Sequence, residues 1–120
     1  ISLAEHGLEF SYIDKSRYPN FIPIVGDDLD LSNWPKDLDL SKTDLWFIDS
    51  EHSEGQLRKE LELYKPFFKE GAIVLFDDMM LNSGMTNVFN NLGNIFPVKE
   101  KIINKILHYS GFTLTEVGKI

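Results

Sequence analysis

An α/β sandwich with a mostly parallel sheet is the fold class this 120-residue sequence predicts, and three observations predict it. Residues 44–52 read Asp-Leu-Trp-Phe-Ile-Asp-Ser-Glu-His, an apolar run that stops at Asp49 with His52 three residues on. Residues 72–78 form a second apolar run, closing on Asp77 and Asp78. Between them, residues 54–69 carry Leu57, Leu61 and Tyr64 at helical spacing, with Pro66 and Gly71 marking the end. A strand, helix, strand unit makes parallel strands whose carboxyl ends share one sheet edge, where open α/β folds bind their ligands. Asp49, His52, Asp77 and Asp78 are therefore expected to meet there.

The other elements follow in chain order. Residues 1–6 read as the end of a helix closed by Gly7, and residues 8–14 alternate as a strand ending in Asp14. After a polar connection containing Pro19, residues 21–25 read as the next strand, followed by the turn Gly26-Asp27-Asp28. Residues 28–42 read as loop with at most a short helix, folded onto the sheet by Trp34 and the leucines. Beyond the central unit, residues 79–85 form a loop and residues 86–92 a short helix capped by Thr86. Residues 98–109 place Ile102, Ile103, Ile106 and Leu107 on one face, which predicts an amphipathic helix stopped by Gly111; residues 112–117 predict a last strand.

Composition narrows the function classes. One domain spans residues 1–120, and 42% apolar content allows it a sizeable core. The longest apolar runs fall far short of the roughly 20 residues of a spanning helix, so no membrane partner is expected. A net charge of −7 opposes nucleic acid, whose backbone needs clustered Lys and Arg. With no cysteine there is neither a disulfide framework nor a thiolate metal site, which fits a reducing, cytoplasmic setting.

Carboxylates converging at a sheet edge repel one another, and a divalent cation, a protonated member or water relieves the repulsion. Hard oxygen donors favour Mg²⁺, Mn²⁺ or Ca²⁺ over zinc. Paired aspartates at a strand end also serve as ordinary solvated caps; by spacing alone His52 reads as a surface loop residue, and its place one turn past Asp49 suits it as a proton acceptor. His6 and His108 have no comparable company. Gly26-Asp27-Asp28 resembles a polymerase palm turn, but the chain is too short and too acidic for one. A receiver-type domain would place its acid pair before the phosphoacceptor strand, and here Asp77-Asp78 follows Asp49.

The segment 44–79, DLWFIDSEHSEGQLRKELELYKPFFKEGAIVLFDDM, resembles the second half of a class I S-adenosylmethionine-dependent methyltransferase of the metal-dependent, small-molecule O-methyltransferase kind. The resemblance extends over residues 8–120 and implies a Rossmann-like methyltransferase sandwich. It implies further that Asp49, Asp77 and Asp78 hold Mg²⁺, Mn²⁺ or Ca²⁺, that Asp49 also borders the cofactor, and that His52 is the general base for an acceptor hydroxyl. Asp14 matches the family's ribose-binding acid, and Asp27 the residue that approaches the adenine. Asp77-Asp78, where catechol-type relatives carry Asp-Asn, is closer to the sugar and antibiotic branch.

The family's first strand with its Gly-x-Gly loop has no counterpart in these residues, and its closing antiparallel strand is expected beyond Ile120. The sequence is accordingly expected to be a partial domain of a longer enzyme. The resulting expectation is methyl transfer from S-adenosylmethionine to the hydroxyl of a small molecule. The alternative is a non-catalytic, methyltransferase-like module that binds a metal or a protein through its open sheet edge, an edge that also offers a route to homo-oligomers.

Overall fold

The computed structural model describes residues 1, 13–106 and 109–120. Its elements are β1 (Leu45–Ile48), α1 (Glu54–Tyr64), β2 (Ile73–Phe76), α2 (Ser83–Asn90), β3 (Val98–Asn104) and β4 (Phe112–Val117). The helix end expected at residues 1–6, apart from residue 1, lies outside the described residues, as do positions 8–12 of the expected strand, His6 and His108.

The central strand, helix, strand unit is present. β1 and β2 pair in parallel, from Leu45 opposite Ile73 to Ile48 opposite Phe76. Ser53 starts α1 by accepting the Gln56 amide on its hydroxyl at 3.3 Å, satisfying one of the donors a helix start leaves unpaired. The helix runs into a 3-10 turn, Lys65–Phe67, built on Pro66. Leu57, Leu61 and Tyr64 are buried in one cluster with Trp46, Ile48, Val74 and Phe76 of the sheet and Met85, Val88 and Phe89 of α2. Aromatic edges join it, Trp46 lying 5.8 Å from Tyr64 and 5.2 Å from Phe68 between ring centroids.

The sheet is mixed rather than mostly parallel. Its order is β1-β2-β4-β3, and β4 runs antiparallel to both neighbours. An antiparallel strand thus lies within the chain, whereas the resemblance placed one beyond Ile120. Residues 98–104 form a strand instead of the first part of the helix expected over 98–109, because the β-branched Val98, Ile102 and Ile103 pair with β4. β3 lies at the end of the strand order, and Lys99, Glu100 and Lys101 are exposed along it. Charges on an edge strand discourage unwanted pairing, and here they imitate the polar face of a helix.

Residues 21–25 form no strand: Pro23 has no amide to donate, and Ile22 and Val25 are exposed. Helix α2 starts earlier than expected because Asn82, not Thr86, caps it, accepting the Met85 amide at 2.9 Å. The Thr86 hydroxyl instead donates back to the Asn82 carbonyl at 3.1 Å. Residues 28–42 are loop, as expected, but with two 3-10 turns, at Leu31–Asn33 and Leu40–Lys42; Trp34 and Leu40 reach the core, whereas Leu31 and Leu38, expected there too, stay exposed. No helix among the described residues is long and apolar enough to cross a membrane.

Both helices pack on the face carrying Trp46, Ile48, Val74 and Phe76. On the other face, Phe47, Leu75, Leu114 and Ile102 form one row across the four strands, and Leu45, Phe47, Ile102 and Leu114 are exposed.

Gly111 closes the turn into β4 with φ +87°, where a Cβ would sit 2.7 Å from Met80 Cγ and 3.0 Å from Ile103 Cδ1. Gly111→Ala is expected to destabilise the fold by about 1–3 kcal/mol. Urea unfolding checks this, and an unchanged midpoint would show that the turn accepts a side chain.

Candidate functional site

Because β1 and β2 are parallel and in register, Asp49 and the Asp77-Asp78 pair leave the sheet at the same end. His52 follows on the link into α1. Asn82 fixes that link to α2: its side-chain amide donates to the His52 carbonyl at 2.9 Å while its oxygen caps the helix. Asp78 has φ +61°, a left-handed conformation uncommon for a residue with a side chain. Hydrogen bonds on and around it hold it there. Its amide donates to Asp77 Oδ1 at 2.9 Å, the Ser110 hydroxyl donates to Asp78 Oδ1, and the next two amides, of Met79 and Met80, donate to the carbonyls of Gly111 and Ser110 at 3.2 and 2.6 Å.

Asp49, His52 and Asp78 converge, each offering a ligand atom within 4.8 Å of the others. His52 Nε2 lies 2.8 Å from Asp78 Oδ2 and 3.5 Å from Asp49 Oδ1. The Asp78 side chain is 13% exposed and that of His52 37%, so the group opens to solvent on the histidine side. Two carboxylate oxygens and an imidazole nitrogen, with no thiolate, suit a hard or borderline divalent cation.

The remaining expected site residues stand apart from this group. Asp77 is outside it and serves the Asp78 amide. Asp14 accepts both the amide and the hydroxyl of Ser16, at 3.0 and 2.6 Å, and these bonds hold its carboxyl below the usual range. Asp30 with Ser32 and Asp39 with Ser41 repeat the same Asp-x-Ser turn, which accounts for much of the acid in that part of the chain. Asp27 accepts the Leu29 amide at 2.9 Å, and its carbonyl accepts from Asn33.

Three residues escaped the sequence reading. Ser110 was hidden because residues 98–109 read as a helix, making Ser110-Gly111 no more than its stop. Asn82 was legible as a helix cap, though not as a tether for His52. Glu60 had a signal: it falls on the same helical face as Leu57, Leu61 and Tyr64, a carboxyl in an apolar stripe. It is fully buried. Burial first, and then the neighbouring Asp28 carboxyl, push its pKa up to about 8, against the opposing pull of Ser50 and Gln56.

A protein-family model described as a methyltransferase domain matches residues 5–79, more than half of the chain. The match includes Asp14, Asp27, Asp49, His52, Asp77 and Asp78, and stops before α2. No curated protein and no solved structure matches the chain.

Proposed function

The chain belongs to the methyltransferase-domain family, and from that premise we propose that it transfers a methyl group from S-adenosylmethionine to the hydroxyl of a small molecule, at a site centred on Asp49, His52 and Asp78. The observation that carries this reading is the convergence of those three side chains at the carboxyl end of two parallel strands. When bound, S-adenosylmethionine supplies an electrophilic methyl on sulfonium, and a divalent cation supplies positive charge that makes a hydroxyl more acidic.

The chain's own residues supply the rest. Asp49 and Asp78 offer the oxygens for the cation, with Asp77 adjoining, and Ser110 holds Asp78 in orientation. In a neutral His52 ring that donates from Nε2 to Asp78, Nδ1 carries the lone pair and takes the proton of the acceptor hydroxyl. Asp14 and Asp27 are the proposed contacts for ribose and adenine. Each spends Oδ1 on its own turn, and a carboxylate has a second oxygen with which to accept.

Methyl-labelled S-adenosylmethionine incubated with the full-length protein and a set of hydroxylated small molecules tests the proposal. Label should appear in an acceptor, and a chelator should suppress it. Label on no acceptor, or transfer indifferent to chelator, would contradict the metal-assisted reading. Ser110→Ala is expected to weaken Mn²⁺ binding about tenfold or more, as loss of an outer-shell partner does. Unchanged affinity in a Mn²⁺ titration would remove Ser110 from the site.

The exposed apolar row across the sheet supports a second reading, a protein-binding module without catalysis. Binding of S-adenosylmethionine discriminates the two.

A further inference from the structure

Behind the site, the turn after Gly26 is fastened to α1 by a pair of carboxyl groups. Glu60 is fully buried, and among the described residues its Oε2 has no hydrogen-bond partner; nor does the equally buried Oδ2 of Asp28. The Gln56 amide spans the two acids, donating to Glu60 Oε1 at 3.1 Å and to Asp28 Oδ1 at 3.4 Å. Each acid therefore has one oxygen satisfied by the same donor and one left over. A buried carboxylate facing a second carboxylate is costly in low dielectric, and a proton held between them removes a charge and supplies the missing bond.

The other groups facing Glu60 do not neutralise it. Ser50, one residue past Asp49, is a hydrogen-bonding hydroxyl without charge. Tyr64 donates its hydroxyl to the Asp28 carbonyl and accepts from Trp34 Nε1 at 3.0 Å; burial, Asp28, Glu60 and Asp27 all work against its ionisation. Among the described residues, no lysine or arginine is a neighbour that acts on Glu60.

We propose that Glu60 is a positioning residue: through a proton held between its carboxyl and that of Asp28, it clamps the turn carrying Asp27 onto α1, so that rising pH releases the turn. As a device for cofactor binding, this rests on the proposed adenine-side role of Asp27; as a clamp it does not. The direction follows from linkage. The carboxyl of Glu60 is raised from an ordinary 4.5 to about 8, so its contribution is full below the ordinary value, declines above it, and is gone once pH has passed about 8.

Hydrogen exchange of the full-length protein reads the clamp through the amides of Asp30, Asn33 and Trp34, which bond within the turn. Corrected for intrinsic rates, their protection should fall roughly tenfold or more between about pH 6 and about pH 10 in the wild type. Glu60→Gln keeps a neutral side chain that can still donate to Asp28, and its protection should stay within about twofold over the same range. The infrared carbonyl stretch of a protonated buried acid should be present in the wild type at neutral pH and absent in Glu60→Gln. Protection independent of pH in the wild type, or an equal fall in Glu60→Gln, would overturn the clamp, and so would absence of the carbonyl band. S-adenosylhomocysteine binding should weaken in parallel with the wild-type protection. Failure of that ligand to bind at any pH, with the pH-dependent protection intact, would sink the cofactor reading and leave the clamp standing.

Discussion

His52→Ala is expected to lower kcat for methyl transfer by about 10²–10⁴-fold, the usual range for loss of a positioned general base, with S-adenosylmethionine affinity kept. His52 Nε2 lies 2.8 Å from Asp78 Oδ2, and the ring is more open to solvent than that carboxylate, the arrangement of a base that must meet an incoming hydroxyl. Removing the ring also leaves Asp49 and Asp78 facing one another without the imidazole between them. A second variant separates the two effects: His52→Gln restores a hydrogen-bond donor without restoring a proton acceptor. If Gln recovers the rate, the ring acts by orienting Asp78; Gln is expected to be as impaired as Ala. A rate undiminished in both variants would take His52 out of the chemistry.

Phe76→Ala is expected to cost about 3–5 kcal/mol, a large share of the 5–15 kcal/mol typical of a folded domain. Phe76 is fully buried in the strand that joins the parallel to the antiparallel half of the sheet, opposite Ile48 and Thr113. Thr113 donates its hydroxyl to the Phe76 carbonyl at 3.3 Å, so backbone and ring are both held and the cavity cannot readily collapse. Phe47→Ala, one residue back on β1 and on the open face at 44% exposure, is the control and should cost under about 1 kcal/mol. Urea unfolding of the two variants checks the contrast; equal losses would mean that Phe76 does not sit in the core.

Sequence reasoning succeeded where local pattern and tertiary demand coincide. The run 44–78 has apolar strands, a helix with its stripe in phase and breakers in place, and it folds as read. It also brought Asp49, His52 and Asp78 together, because parallel strands in register deliver their carboxyl ends to one edge. It failed where a partner strand decided the outcome. Residues 98–104 carry a pattern compatible with either period, and six aligned pairs with β4 settle it as a strand. Which of two adjacent aspartates joins the site was likewise beyond spacing. That choice depends on the left-handed backbone at Asp78 and on Ser110, thirty-two residues away in the chain. Glu60 was visible as a misfit in an apolar stripe, but only the fold reveals the second acid against it.

Calorimetric titration of the full-length protein with S-adenosylmethionine, with and without Mg²⁺, decides whether the chain is a methyltransferase. Saturable one-to-one binding is expected, weakened by Asp27→Ala and not abolished by Mg²⁺. Absence of binding under both conditions would contradict methyl transfer and leave the exposed sheet face as the guide to a binding module.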